Sequence, residues 1–261
     1  MRLRSMEDML TAEDLVVRRG GTEVLRGVTC ALPTGTTALI GHNGAGKTTL
    51  LRALLGLLPA ASGTVRLDGE KVLATAASRS AFHARLGWMP QDVEFPRGVT
   101  VAEAVEYACW LRGRPRRTLR AHRVAALETA DLTELARRPA DRLSGGQRRR
   151  LGLACALAGD PDVVVLDEPT AGLDPLQREE IMGAVRQASR ERTVVVSTHL
   201  VEDVLTVADR ILVLADGRVV ADALLDEIVA SGASAEQARA AVTGLIAPRG
   251  GACGQTDGAP A

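Results

Sequence analysis

The segment TTALIGHNGAGKTTLLRALLGLL, residues 36–58, decides the fold. An apolar, β-branched run (TTALI) passes through a glycine-rich nonapeptide (GHNGAGKTT, residues 41–49) into leucines at helical spacing. A strand, a glycine loop and a helix in that order are the context in which GxxxxGK[ST] has physical meaning. Gly41, Gly44 and Gly46 let successive backbone N–H groups turn inward around phosphate oxygens, and the helix N-terminus adds its dipole. Lys47 is placed to reach the β- and γ-phosphates, and the Thr48 hydroxyl to ligate Mg²⁺. The whole loop, with His42, Asn43, Ala45 and Thr49, is therefore the expected nucleotide-binding segment. Lysine is scarce in this chain: of 32 basic residues only Lys47 and Lys71 are lysines, so one in the motif's cation position carries information.

The rest of the composition narrows the class. With 261 residues, 46% hydrophobic and 25% charged, the chain has material for one large domain, or one with a small insert. Acidic and basic residues balance at 32 each and aromatics are 2%, which argues against a nucleic-acid partner. Cys30, Cys109, Cys155 and Cys253 show no CxxC spacing, which points away from a zinc site or a disulfide framework and fits a reducing compartment. The start, MRLRSMEDML, does not read as a signal peptide, and no apolar run approaches the roughly 20 residues that cross a bilayer. The chain by itself is expected to be cytosolic, whatever it docks against.

Working outward, DLVV, EVLRGVTCAL and TTALI read as strands separated by glycine turns. GTVRLDGEKVL (63–73) and ILVLADGRVVA (211–221) read as hairpins, the first turning at Asp68-Gly69. VVVLD (163–167) and TVVVST (193–198) are short, β-branched and each preceded by a helical stretch, as in a buried parallel sheet. Between about 92 and 158 helical patterns replace strand patterns, giving a helical insert. The divisions are then a flexible lead at 1–10, one domain at 11–222 (core 11–91 and 159–222), a helical extension at 223–247 and a disordered tail at 248–261.

VVVLDE sets two acids at the end of an apolar strand. Asp167 at the carboxyl edge of the sheet can hold Mg²⁺, and Glu168 can serve as base for a water attacking the γ-phosphate.

GHNGAGKTT, Gln91 in GWMPQD, LSGGQ at 143–147, VVVLDEPTAGLDP at 163–175 and His199 in VVVSTHL occur in one order. Together they resemble the ATP-binding subunit of ATP-binding cassette (ABC) transporters over roughly residues 11–222. STHLVEDVLTVADR and LDPLQREEIM look most like the bacterial efflux-type branch, which exports drugs and antibiotics. The resemblance implies a P-loop (RecA-like) α/β core with an antiparallel β subdomain and a helical insert. It implies ATP and Mg²⁺ as ligands, with Gln91 sensing Mg²⁺ and the attacking water. His199 would contact the γ-phosphate and orient Glu168. Ser144, Gly145, Gly146 and Gln147 would face a nucleotide held by a second, identical subunit in a head-to-tail dimer, and Asp174 would couple the two halves. A separate membrane permease would be the other partner.

One departure concerns the base. The family's adenine-stacking aromatic falls at about Arg19, and no Phe, Tyr or Trp precedes Phe82. The Arg19 guanidinium (or that of Arg18) can stack on a purine instead. Two surface features have bland first readings. The basic run RGRPRRTLRAHR (112–123) reads as a solvated loop, with contact to anionic lipid or an acidic partner as the alternative. Tyr107 and Trp110 read as packing residues, with a groove for a partner helix as the alternative. Rival functions are a soluble member acting on ribosomes or DNA, and a nucleotide-gated regulatory subunit. A single cassette with no charged linker or long heptad array argues against the first. Filled catalytic positions argue against the second.

Overall fold

The computed structural model describes residues 9–246, so the expected lead up to residue 8 and the tail at 248–261 lie outside the described residues. In chain order the elements are β1 (Leu10–Arg19), β2 (Thr22–Leu32), β3 (Gly35–Ile40), α1 (Lys47–Leu54), β4 (Ser62–Leu67), β5 (Glu70–Lys71), α2 (Ala76–Ala84) and β6 (Leu86–Met89). The helical stretch follows as α3 (Val101–Leu111), α4 (Arg116–Thr129) and α5 (Gly145–Leu157). Then come β7 (Val163–Asp167), α6 (Pro175–Ala188), β8 (Thr193–Thr198), α7 (Val201–Val207), β9 (Arg210–Ala215), β10 (Arg218–Leu224), α8 (Leu225–Ile228) and α9 (Ala235–Ile246).

Two sheets form. One is four-stranded and antiparallel, ordered β2-β1-β4-β5; the other is six-stranded, ordered β10-β9-β3-β8-β7-β6. In the larger sheet the strands from β9 to β6 are parallel to their neighbours and only β10 runs back, against β9. The alternation of side chains explains why these strands are largely apolar. Val163, Val165, Val195, Leu39, Leu212 and Leu214 pack with α1 and the antiparallel sheet. Their neighbours split on the opposite face: Val164, Leu166, Val194 and Val196 pack on α6, and Ala38, Ile40, Ile211 and Val213 pack on α7 and α9. A parallel strand buried on both faces leaves little room for polar side chains, and those present in β3 and β8 are small hydroxyls, Thr36, Thr37, Thr193, Ser197 and Thr198.

Both expected hairpins are present. Asp68-Gly69 and Asp216-Gly217 turn them with positive φ at both residues (53° and 80°, 47° and 74°), the geometry a two-residue turn requires. Elements with no counterpart in the sequence reading include α2, which begins at a Thr75–Ser78 capping box, β6, only four residues long, and α7.

The three helices α3, α4 and α5 share their own apolar cluster, including Val101, Val105, Leu119, Leu127 and Leu151. Arg112 fastens this layer to the sheet. Its guanidinium donates to the carbonyls of Leu86 (2.7 Å), Ala108 (3.3 Å), Cys155 (2.9 Å), Ala158 (2.8 Å) and Ala156 (3.2 Å). Those acceptors include orphan carbonyls at the end of α5, where a cation is also favoured by the helix dipole.

This corrects the reading of residues 112–123 as a solvated loop. Arg112 and Arg114 are half-buried hydrogen-bond donors, Arg123 pairs with Glu106 at 2.7 Å, and residues 116–123 are helical. Arg116, Arg117 and Arg120 are exposed. The packing role expected for Tyr107 and Trp110 is also corrected. Both are more than half exposed (59% and 57%), stacked on each other with ring centroids 5.7 Å apart and beside the equally exposed Leu111.

Candidate nucleotide site

Four parallel strands lie side by side in the order β3-β8-β7-β6, and each delivers its loop to the same carboxyl edge. β3 leads into Gly41, β8 into His199, β7 into Glu168 and β6 into Gln91. Registers align the ends: Ile40 pairs with Thr198, Asp167 with Ser197 and Met89 with Leu166. The carboxyl edge of an open α/β sheet is where such folds bind ligands, so four segments distant in sequence converge for a topological reason.

The loop at 41–49 is shaped by its glycines. Gly44 and Gly46 adopt φ of 85° and 105°, and a Cβ on Gly41 would lie 2.2 Å from the Leu214 carbonyl oxygen. The turn closes by an Ala45 amide donating to His42 O at 3.1 Å. Lys47, the first residue of α1, is buried and donates from Nζ to Gly41 O at 2.8 Å, spanning the loop. Burial pulls its pKa below the ordinary lysine value, while the carboxylates of Glu168 and Asp167 act in the opposite direction. His42 and Asn43 are exposed at the rim, and His42 Nε2 lies 3.8 Å from Asp216.

Asp167 is almost fully buried. Its Oδ1 accepts from Ser197 Oγ at 2.5 Å, whereas Oδ2 is buried without a hydrogen-bond partner among the described residues. An orphaned carboxylate oxygen is costly unless something else satisfies it. A hard divalent cation bound by oxygens meets that need, so the residues present fit Mg²⁺. Glu168 takes up φ of 48°, and its amide donates to both Ser197 O (3.1 Å) and Ser197 Oγ (3.0 Å). Its Oε1 lies 3.4 Å from His199 Nδ1. Ser197 thus orders both acids, a residue that sequence reasoning passed over. Its signal was a hydroxyl at the end of an otherwise apolar strand.

Gln91 is exposed, and its carbonyl accepts from Arg149 at 2.5 Å. Burial lowers the Arg149 pKa, opposed by the charges of Asp92, Glu168 and Asp167. Nothing in the run RRR singled it out.

LSGGQ begins α5. Ser144 Oγ accepts from the Gln147 amide (3.2 Å) and Gln147 Oε1 accepts from the Ser144 amide (3.1 Å), a reciprocal capping box. The two glycines differ. A Cβ on Gly146 would come 2.6 Å from Gln177 Oε1, whereas one on Gly145 would meet nothing within 4 Å among the described residues. Two cavities flank this motif, of about 320 and 480 Å³, and no residue of the loop at 41–49 lines either. Asp174 caps α6 by accepting from the Gln177 amide at 2.9 Å, ahead of Pro175 at the first helical position. At the β1–β2 turn Arg18 pairs with Glu23 at 2.8 Å, and Arg19 is exposed.

Comparison with known proteins agrees with this arrangement. A family model described as ABC transporter matches residues 25–171. The methionine import ATP-binding protein MetN of Caulobacter vibrioides is 37% identical over 226 residues, covering 84% of this chain and 68% of that protein. The Nod factor export ATP-binding protein I of Ralstonia nicotianae is 36% identical over 223 residues, covering 85% and 68%. The human retinal-specific phospholipid-transporting ATPase ABCA4 is 40% identical over 182 residues, which is 70% of this chain but only 8% of that much longer protein. Among solved structures, cbiO1 from Clostridium perfringens, part of an ABC transporter complex, superposes with a TM-score of 0.75 at 29% identity, covering 84% of this chain and 89% of that one. An ATP-binding cassette solved as a dimer with ADP and Pi gives 0.75 at 25% identity, covering 83% and 98%. The chain belongs to the ABC transporter family and carries its ATP-binding, ATP-hydrolysing domain.

Proposed function

We propose that the chain is the ATP-hydrolysing subunit of an exporter whose membrane-spanning permease is a separate polypeptide, and that it works as a head-to-tail pair. The observation that carries the hydrolytic reading is the group at one sheet edge. Lys47 is buried across the glycine loop, Asp167 has an unsatisfied oxygen, and Glu168 lies within 3.4 Å of His199. The loop amides and Lys47 hold the β- and γ-phosphates. Glu168 takes a proton from the attacking water, and His199 keeps the Glu168 carboxylate directed at it. Thr48, Asp167 and Gln91 would hold Mg²⁺, which when bound draws charge from the phosphate oxygens. Arg19 stacks on the adenine from the β1–β2 turn.

The pairing rests on Gly145. Neither its backbone conformation nor any neighbour within 4 Å among the described residues calls for glycine there. A bare N–H at a helix start with open space before it suits an approaching anion. The γ-phosphate held by a second copy supplies that anion, with Ser144 and Gly146 beside it and Asp174 at the joint.

The permease reading rests on two points. No helix among the described residues is long and apolar enough to cross a membrane. The exposed Tyr107, Trp110 and Leu111 on α3 offer a partner an apolar, stacked surface. Cytoplasmic placement at the membrane follows from that docking. Export rests on the likeness of LDPLQREEIM and STHLVEDVLTVADR to efflux-type members, since relatives of similar identity serve import and export alike.

The test is Glu168→Gln in the intact chain. ATP turnover should be nearly abolished while an ATP-bound dimer accumulates in size-exclusion chromatography; undiminished phosphate release would remove Glu168 from the base role. Ser144→Arg should block both dimer and turnover, and a variant with intact turnover refutes the shared site. Direction is read by ATP-driven accumulation of cargo in inside-out vesicles carrying the co-purified permease.

A further inference from the structure

One buried carboxylate ties together the segments that carry Glu168 and His199, and the sequence reading gave it no role although it lies within STHLVEDVLTVADR. Asp203 lies in the first turn of α7 with its side chain 0% exposed. Its Oδ2 accepts two hydrogen bonds, from Thr170 Oγ1 at 2.5 Å and from Thr198 Oγ1 at 3.0 Å. Thr170 is two residues beyond Glu168, separated from it by Pro169, and Thr198 immediately precedes His199. Thr198 Oγ1 also accepts from the Leu200 amide at 3.0 Å, which closes the turn around His199. The other oxygen, Oδ1, faces Arg178 Nε of α6 at 3.8 Å; neither atom has a hydrogen-bond partner among the described residues. Arg178 is in turn bonded through its amide to the carbonyl of Asp174 at 3.0 Å.

Burying a carboxylate for packing alone is unfavourable, because an apolar residue would fill the space without the desolvation cost. What the carboxylate adds is direction. Two hydroxyls from different loops meet on a single oxygen, so neither loop can shift alone without breaking a bond. The 3.4 Å approach of His199 to Glu168 then depends on atoms that touch neither residue.

We propose that Asp203 is a positioning residue for hydrolysis, acting through Thr170 on the Glu168 loop and through Thr198 on His199. The proposal rests on the reading of Glu168 and His199 given above. A misplacement of about 1 Å in such a pair costs up to about 100-fold in rate, so the effect falls on kcat and leaves nucleotide affinity alone.

The experiment measures steady-state Mg-ATP hydrolysis by the full chain, with Thr170→Val, Thr198→Val, Thr170→Ser and Asp203→Asn beside Glu168→Gln and His199→Ala. The two valine variants should lower kcat by about tenfold, keep KM for ATP within about twofold and keep the melting temperature close to wild type. Thr170→Ser, which retains the hydroxyl, should restore turnover. Because Thr198 acts through His199, Thr198→Val should lower kcat no further in a His199→Ala background. Valine variants with wild-type kcat overturn the proposal, as does a Thr198→Val loss that multiplies with that of His199→Ala. A parallel fall in kcat, affinity and melting temperature overturns it too, by assigning the cluster to the fold alone. If Asp203→Asn fails to fold, the threonine variants still decide. If Glu168→Gln abolishes turnover while the valine variants are normal, only this inference falls; if Glu168→Gln turns over normally, the underlying reading falls.

Discussion

Arg112→Met removes every donor of the guanidinium that fastens α5 to β6 while keeping an unbranched apolar stem. Three of its hydrogen bonds are short: 2.7 Å to Leu86 O, 2.8 Å to Ala158 O and 2.9 Å to Cys155 O. At roughly 1 kcal/mol net for each, their loss amounts to about 3 kcal/mol. Two effects pull on this figure. Carbonyls left bare at the α5 terminus raise it. Relief from burying a cation that has no carboxylate partner among the described residues lowers it, the same burial that depresses the Arg112 pKa. For a chain of this size, 3 kcal/mol corresponds to a melting temperature lower by about 6–12 °C. Urea denaturation followed by circular dichroism supplies the free energy, and calorimetry the temperature. Arg112→Lys, which keeps the charge and loses the planar fork, should fall between the two. A Met variant within about 0.5 kcal/mol of wild type would show that desolvation cancels the bonds, and the argument that Arg112 fastens the helices to the sheet would fail.

Three further outcomes follow from the packing. Gly217→Ala and Gly69→Ala both place a side chain at positive φ in an Asp-Gly turn, but the new Cβ lies 2.1 Å from Val24 O in the first and meets nothing within 4 Å among the described residues in the second. Gly69→Ala should cost about 1 kcal/mol and Gly217→Ala at least about 2 kcal/mol more in equilibrium unfolding; equal costs would refute the close approach. Cys30, buried and with its thiol pushed up to about 12 by that burial, should resist iodoacetamide at pH 8 in the folded protein and react once it is unfolded. The folded thiol keeps its proton over the range where the unfolded one loses it, so this group lowers stability as pH rises above the ordinary thiol value towards 12. Finally, Mg-ATP at about 100 times its Kd should stabilise the protein by about 2.7 kcal/mol. EDTA or Asp167→Asn should remove most of that gain, and an Asn variant stabilised as much as wild type would deny Asp167 its metal role.

The elements that were legible in sequence are those whose pattern is local. TTALI before GHNGAGKTT, the twin Asp-Gly turns, and VVVLD and TVVVST each announce themselves through periodicity or turn chemistry. β6 did not: LGWM is four residues long and takes its partner, β7, from about 77 positions later (Leu86 with Val163). Trp110 and Tyr107 misled because core-like spacing on α3 says which faces exist but not how wide the buried one is. The basic run misled for a related reason. Besides Ala108 of its own helix, Arg112 is satisfied by carbonyls of β6 and of the end of α5, 26 to 46 residues away, and no local rule anticipates backbone acceptors. At the site, the motif positions could be placed one by one, but their supports could not. Ser197, Asp203 and Arg149 matter through partners 29 to 58 residues distant, and single-sequence patterns hold no trace of such pairs.

The scarcity of lysine has a practical side. Lys47 is buried, with its ammonium bonded across the glycine loop, whereas Lys71 is exposed at the edge of the antiparallel sheet in β5. An amine-directed reagent therefore meets one accessible lysine side chain in the folded domain. A fluorophore carried there would sit on an edge strand rather than in the parallel sheet that bears the candidate site, without a single engineered substitution.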